Sequence, residues 1–305
     1  MREEQQNTAA SQQSLANSGL VLAILGTALF GMKSIFIKLA YAQGVDTITL
    51  LTLRMLIALP FYLLMLFWLL RKTETVKPAP RQLLPIALLG FFGYYLSSLL
   101  DMEGLNHISA QLERLTLYTY PVITTLLGWF FLGEVITRRI IMALMLTYGG
   151  ILLLYGYETS SGGGGNTQWG VMLVMMAATT FSCYVVFSKQ YISALGSRMF
   201  TSIAMLISTV FVLVHFLVTK NISDLLINDA AWFYAFLLAI FSTLLPSFIV
   251  SEAIARLGAG KTSIVGTIGP VFTIIMAVLI LGEPFGWFHL GGMLLVIAGV
   301  ALLKK

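Results

Sequence analysis

LLGWFFLGEV (126–135) closes a long apolar run on Gly133 and Glu134, and VLILGEP (278–284) closes another on Gly282 and Glu283. A proline stands thirteen residues before each glutamate, Pro121 before Glu134 and Pro270 before Glu283. One spacing used twice, 149 positions apart, says that the chain is written twice. Other positions keep the same offset: Glu103 falls on Glu252, Ala110 on Ala259 and Gly150 on Gly299. Nearer the start the offset is 151, and Gly19 falls on Gly170, Phe30 on Phe181, Lys33 on Tyr184 and Lys38 on Lys189.

Composition says what kind of unit is repeated. Of 305 residues, 58% are hydrophobic and only 10% charged. A soluble domain carries about 25% charged residues to wet its surface. The surface here must be wetted by lipid, so the fold class is an all-α polytopic membrane protein. The net charge of +5 is accounted for by basic loops and calls for no nucleic-acid partner. The lone cysteine, Cys183, excludes an internal disulfide.

A bilayer core needs about 20 apolar residues per helix. That length places spans near 19–42, 47–70, 83–102, 109–132 and 136–156, then near 169–192, 197–218, 231–252, 258–281 and 287–303. The expectation is ten transmembrane helices. Residues 1–18 lack the basic start and apolar core of a secretory signal and read as a disordered cytoplasmic tail. Residues 19–156 form the first five-helix unit, the Gly-rich 157–168 a flexible linker and 169–303 the second unit.

Cytoplasmic loops hold the excess of Lys and Arg. Arg71, Lys72, Lys77, Arg81, Arg138, Arg139, Lys189, Arg198, Arg256, Lys261, Lys304 and Lys305 all fall on one side, and of the opposite loops only the one after span seven carries a clear basic residue, Lys220. Both termini are therefore expected in the cytoplasm. Five spans per unit is an odd number, so the second unit is inverted relative to the first. Inverted repeats are a construction of secondary transporters, whose halves exchange conformations around a central site.

Within this frame Pro121 and Pro270 are read as helix-bend residues, each removing a backbone donor mid-span. Gly133 and Gly282 suit helix ends, and Glu134 and Glu283 then meet the positive end of the following helix. The motif reads as architectural.

The same residues resemble a known family. Two five-helix units with Leu-Gly-Glu endings, each followed by a small-residue helix (LTYGGILLL, LVIAGVALL), resemble the EamA-domain branch of the drug/metabolite transporter superfamily. The resemblance covers about 19–303, with FGMKSIFIK, LRMLIALP and YYLSSLLDMEGLNHISAQLERLTLYTYP fitting as well. It implies a bacterial inner-membrane permease with a central cavity, moving amino acids, other metabolites or drugs, often outward.

Charges inside spans point to where such a cavity would act, because a buried lysine or arginine costs about 2.5–3.5 kcal/mol on insertion scales. Lys33 lies near the middle of span one with no acidic neighbour in sequence. It either contacts an anionic or zwitterionic solute, which supplies the counter-charge, or snorkels or caps a buried carbonyl. Arg54 in span two either takes part in gating, or snorkels to the outer headgroups or braces its helix. Asp101, Glu113 and Arg114 form a gate or ion-pair network at an external mouth, or are solvated helix ends. Tyr94, Ser98, Tyr118 and Tyr184 supply rings and hydroxyls for solute or for helix packing. Ser242, Thr243, Ser247 and Ser251, with Thr267 and Thr273, are expected to bond neighbouring carbonyls or helices.

Other chemistry finds no support. GAGKTS (258–263) mimics a phosphate loop, but Ala255 stands where the pattern needs glycine. His107, His215 and His289 have no metal-ligand spacing. The expectation is a transporter, not an enzyme, with no cofactor and no metal, coupled to a proton or a counter-transported solute. A passive channel or facilitator and a multi-pass membrane enzyme are the alternatives.

Overall fold

The structure, a computed structural model, describes residues 18–303 apart from 73–75, 134, 161–165, 258–261, 263–264 and 267. Residues 1–17 of the N-terminal tail, Glu134, Thr267, residues 161–165 of the linker and all of GAGKTS except Thr262 therefore lie outside the described residues. Every described element is helical.

Helices α1 (Ser18–Tyr41), α2 (Thr47–Arg71) and α3 (Pro80–Leu105) follow in order. The stretch expected as one span near 109–132 is two helices, α4 (Ala110–Leu117) and α5 (Tyr120–Leu132). Then come α6 (Arg138–Ser160), α7 (Thr167–Leu195) and α8 (Ser197–Thr219). Helix α9 covers 229–257, and α10 (Gly269–Leu281) and α11 (Trp287–Leu302) complete the bundle. Among the described residues seven helices are long and apolar enough to cross a membrane, and α10 and α11 are shorter apolar helices. The chain is a multi-pass membrane protein. Leu64, Phe67, Phe130, Phe131 and Leu279 stand exposed on its outer surface, where lipid and not water satisfies them.

Local chemistry sets the helix ends. Asp46 caps α2 by accepting from the backbone of Ile48 and Thr49, Ser109 caps α4 at Leu112, and Asn228 caps α9 at Ala231. Helices α5 and α10 both end on a left-handed glycine, Gly133 at φ 70° and Gly282 at φ 68°.

The two halves interlock through small residues. A Cβ on Gly150 would lie 2.6 Å from the Gly292 carbonyl, and one on Gly299 would lie 2.8 Å from that of Ala143. Helices α6 and α11, the last of each half, thus touch backbone to backbone and run antiparallel. Gly104 and Gly170 bring α3 against α7 in the same way. Contacts also define the ends of the bundle. Arg256 reaches Ser18 at one end, while at the other Asn228 reaches the Gln43 carbonyl and Lys220 pairs with Asp46.

Candidate functional site

The polar core is assembled where regular helix gives way. Helix α3 contains a π-helical turn at Phe91–Leu96, and α9 contains one at Ile240–Leu244. Phe91 and Ile240 are 149 positions apart, the repeat offset. A π-turn shifts the register of the side chains beyond it. The first turn carries Tyr94 and the second Thr243. Helix α1 has a turn at Met32, and the three carbonyls before it each receive a side-chain donor. Ser242 donates to Leu29 at 3.1 Å, Arg114 to Phe30 at 2.7 Å and Thr273 to Gly31 at 2.9 Å. Thr243 likewise donates to the Leu238 carbonyl, so the hydroxyl reading holds for these residues.

The prolines do something different from the expectation. Each sits in the first turn of a new helix, Pro121 in α5 and Pro270 in α10. The chain has already broken at Tyr118–Thr119 and at Ile268. The missing N–H is one that a first helical turn leaves unpaired in any case, so the proline starts a helix and does not bend one. Tyr118 covers one of these breaks by donating to the Gly266 carbonyl at 2.9 Å.

Lys33 does have an acidic partner, Asp101, with which it forms an ion pair across 68 positions of sequence. The counter-charge assigned to a solute is supplied by the protein itself. Asp101 and Glu113 are not solvated helix ends: both are buried, at 1% and 0% exposure. Glu113 accepts from the Ser34 hydroxyl at 2.5 Å and lies in the field of Asp101, Arg114 and Lys33. One oxygen on each carboxylate, Oδ1 of Asp101 and Oε1 of Glu113, has no hydrogen-bond partner. Arg114 adds a hydrogen bond to Thr273 at 3.0 Å. Three helices of the first half thus converge here and engage α9 and α10 of the second.

Arg54 is also buried and does not snorkel. Its Nε donates to the Thr243 hydroxyl at 3.0 Å, and Nη1 lies 3.5 Å from that of Ser98. Tyr94 and Tyr184 share a hydrogen bond between hydroxyls at 2.9 Å, with ring centroids 5.0 Å apart. Ring contacts continue from Tyr184 through Phe181 and Tyr120 to Tyr118. The structure therefore gathers Arg54, Tyr94, Ser98 and Tyr184, and joins Tyr118 to them through a chain of rings.

Glu283 answers the question raised by the repeated motif. Its carboxylate does not turn onto the helix that follows it. It accepts from the backbone N–H groups of Ala110 and Gln111, at 2.7 and 3.2 Å, and so caps α4 in the other half. Gln111 returns a bond to the Pro284 carbonyl at 2.9 Å. At the same end Thr47 donates to Glu103, and Tyr41 to the Met102 carbonyl. The functional residues that sequence reading missed are Ser34 and this cross-half cap. Ser34 carried one signal, a hydroxyl beside a membrane-embedded lysine.

Among the described residues no group of His, Cys, Asp or Glu is arranged to hold a metal ion.

Comparison with known proteins agrees in kind. The model of the EamA-like transporter family matches residues 17–156 and again residues 168–304. The uncharacterized transporter YcbK of Bacillus subtilis is 27% identical over 305 residues, covering 95% of this chain and 94% of that protein. The uncharacterized transporter YetK of the same organism is 26% identical, covering 83% and 77%. An S-adenosylmethionine/S-adenosylhomocysteine transporter of Chlamydia trachomatis is 25% identical, covering 71% and 69%. A crystal structure with 15% identity superposes with a TM-score of 0.63 over 94% of this chain and 97% of that one, a likeness of fold alone.

Proposed function

The chain belongs to the EamA-like transporter family, and from that premise we propose that it is a secondary transporter exporting a small organic solute by alternating access. In this reading ten spans form two inverted five-helix repeats, with both termini in the cytoplasm and the bundle in a bacterial inner membrane. The double match to the family model and the duplicated π-turns support the repeat. The observation that carries the function is the buried ion network of Lys33, Asp101, Glu113 and Arg114, held at the junction of the two halves. Charges this deep cost too much to be idle and mark solute or ion pathways.

Lys33, Tyr94, Ser98, Tyr118 and Tyr184 frame the solute, and Arg54, Asp101, Glu113 and Arg114 serve gating or coupling. Glu113 or Asp101 is the group that exchanges a proton, unless a counter-transported solute provides the coupling. The relative that carries S-adenosylmethionine places amino acid derivatives among the first solutes to try.

Counterflow in proteoliposomes against amino acids, S-adenosylmethionine, organic acids, neutral solutes and organic cations is the test. Exchange of at least one solute without ATP is expected, and a strict requirement for ATP would overturn the reading. Cysteines at Lys77 and Gly163, in a background lacking Cys183, test the topology. Labelling of position 77 from outside intact cells by an impermeant thiol reagent would overturn it.

A further inference from the structure

We infer that Arg54 is the anchor for a carboxylate on the transported solute, and that Lys33 is not. The inference rests on the transporter reading and adds the chemical class of the solute. Of the cations in the polar core, Lys33 is paired with Asp101, and Arg114 donates to the Thr273 hydroxyl and to the Phe30 carbonyl. Arg54 donates to the hydroxyls of Thr243 and Ser98, the second at the limit of a hydrogen bond, and the Asp101 charge acts on it only from beyond ion-pair distance. Among the described residues no carboxylate lies within ion-pair distance of it.

A guanidinium has five N–H donors in a rigid fork and stays protonated in proteins. Two donors are engaged here, so three remain, on a side chain that is 7% exposed inside a membrane protein. A carboxylate fits the free fork with two parallel bonds.

The surroundings choose the rest of the solute. Tyr62 and Tyr94 lie beside the guanidinium, and Tyr94 leads on to the rings of Tyr184 and Phe181. Such a wall suits an aromatic or long aliphatic body. The solute is an organic carboxylate with an apolar body. Its anchor draws on both halves, Arg54 and Ser98 from one and Thr243 from the other, so the bound anion would bridge the two bodies that move in alternating access.

The test uses full-length protein with matched acids and amides: phenylacetate against phenylacetamide, hexanoate against hexanamide, and phenylalanine against phenylalaninamide. Thermal shift of the purified protein and counterflow in proteoliposomes are read together. Acids should stabilise the wild type and exchange, while their amides do neither. Arg54→Gln should weaken acid binding about 10- to 100-fold, the loss of a charge-assisted hydrogen bond, and Arg54→Lys should recover only part of it. Modification of the wild type by phenylglyoxal, mapped by mass spectrometry, gives an arm independent of mutant folding: phenylacetate should protect Arg54 and phenylacetamide should not. Amides binding as well as acids, or acid binding unchanged in Arg54→Gln, would overturn the anchor. Exchange of neutral or cationic solutes with no acid bound would overturn it too and leave the transporter reading intact. Exchange of no solute of any charge would remove the transporter reading and the anchor with it.

Discussion

The two halves of the molecule share a skeleton and differ in chemistry. Both contain a π-turn at the same repeat position, a broken helix restarted by proline, and a left-handed glycine at the end of the restarted helix. The charges of the polar core are not shared. Where the first half has Lys33, Asp101 and Glu113, the second has Tyr184, Val250 and Thr262, and Arg54 corresponds to Met205. The difference teaches what each feature is for. On the proposed reading, backbone irregularities recur because each of two inverted units has to open and close. On the same reading, buried charge is confined to one half because one central site needs only one set, and every additional buried ion costs desolvation.

Breaking the ion pair from one side should have the largest effect. Asp101→Leu leaves the part-buried Lys33 without its ion-pair partner and should cost about 3–5 kcal/mol, read as a lower midpoint of unfolding in detergent. Lys33→Met/Asp101→Leu removes both charges and should recover most of that loss. A double variant as unstable as the single would mean that the pair, and not the orphaned charge, sets the stability. Next comes the contact between the halves. Glu283→Ala strips the cap from α4 and should cost about 1–2 kcal/mol, with Glu283→Gln milder because its amide oxygen still accepts. No change for Glu283→Ala would show that Ser109 and packing hold α4 without it.

The shared skeleton makes a sharper demand, because equivalent changes must cost the same. Gly133 and Gly282 have nearly equal positive φ, and a Cβ added at either meets nothing within 4 Å. Only backbone strain then acts, so Gly133→Ala and Gly282→Ala should each cost about 1 kcal/mol. Clearly unequal losses would break the equivalence.

The smallest effect lies at the loop between α1 and α2. Burial pulls the Asp46 carboxyl up, but hydrogen bonds from Thr49 and Lys220 outweigh it and hold the group below the ordinary aspartate value. A depressed folded value means stability present above the unfolded value and lost as pH falls through it towards the folded one. Asp46→Asn should flatten that acid limb by a few tenths of a kcal/mol, since the group is partly exposed. An unchanged limb would assign it to other carboxylates.

Pro121, Glu134, Pro270 and Glu283 mark a repeat at fixed spacing, and apolar runs marked the seven long helices but not the break of the 109–132 stretch into two. The irregular backbone was not legible. Phe91–Leu96 and Ile240–Leu244 share the composition of ordinary apolar helix, so no local signal separates a π-turn from it. The site was half legible. Lys33, Arg54, Asp101 and Glu113 stand out as charges among apolar residues, but their partners are set by which helices touch. Asp101 lies 68 positions from Lys33, and Glu283 lies 173 from the backbone N–H of Ala110 that it caps. No spacing rule reaches across such distances.

The central claim is that the charges confined to one half operate a single solute site. Counterflow by Lys33→Met/Asp101→Leu tests it most directly, once its unfolding midpoint has been matched to the parent's. The account predicts a folded protein in which exchange of the parent's solute is lost. A folded double variant that exchanges the solute at the parent's rate would contradict it and leave the buried pair as a brace between helices.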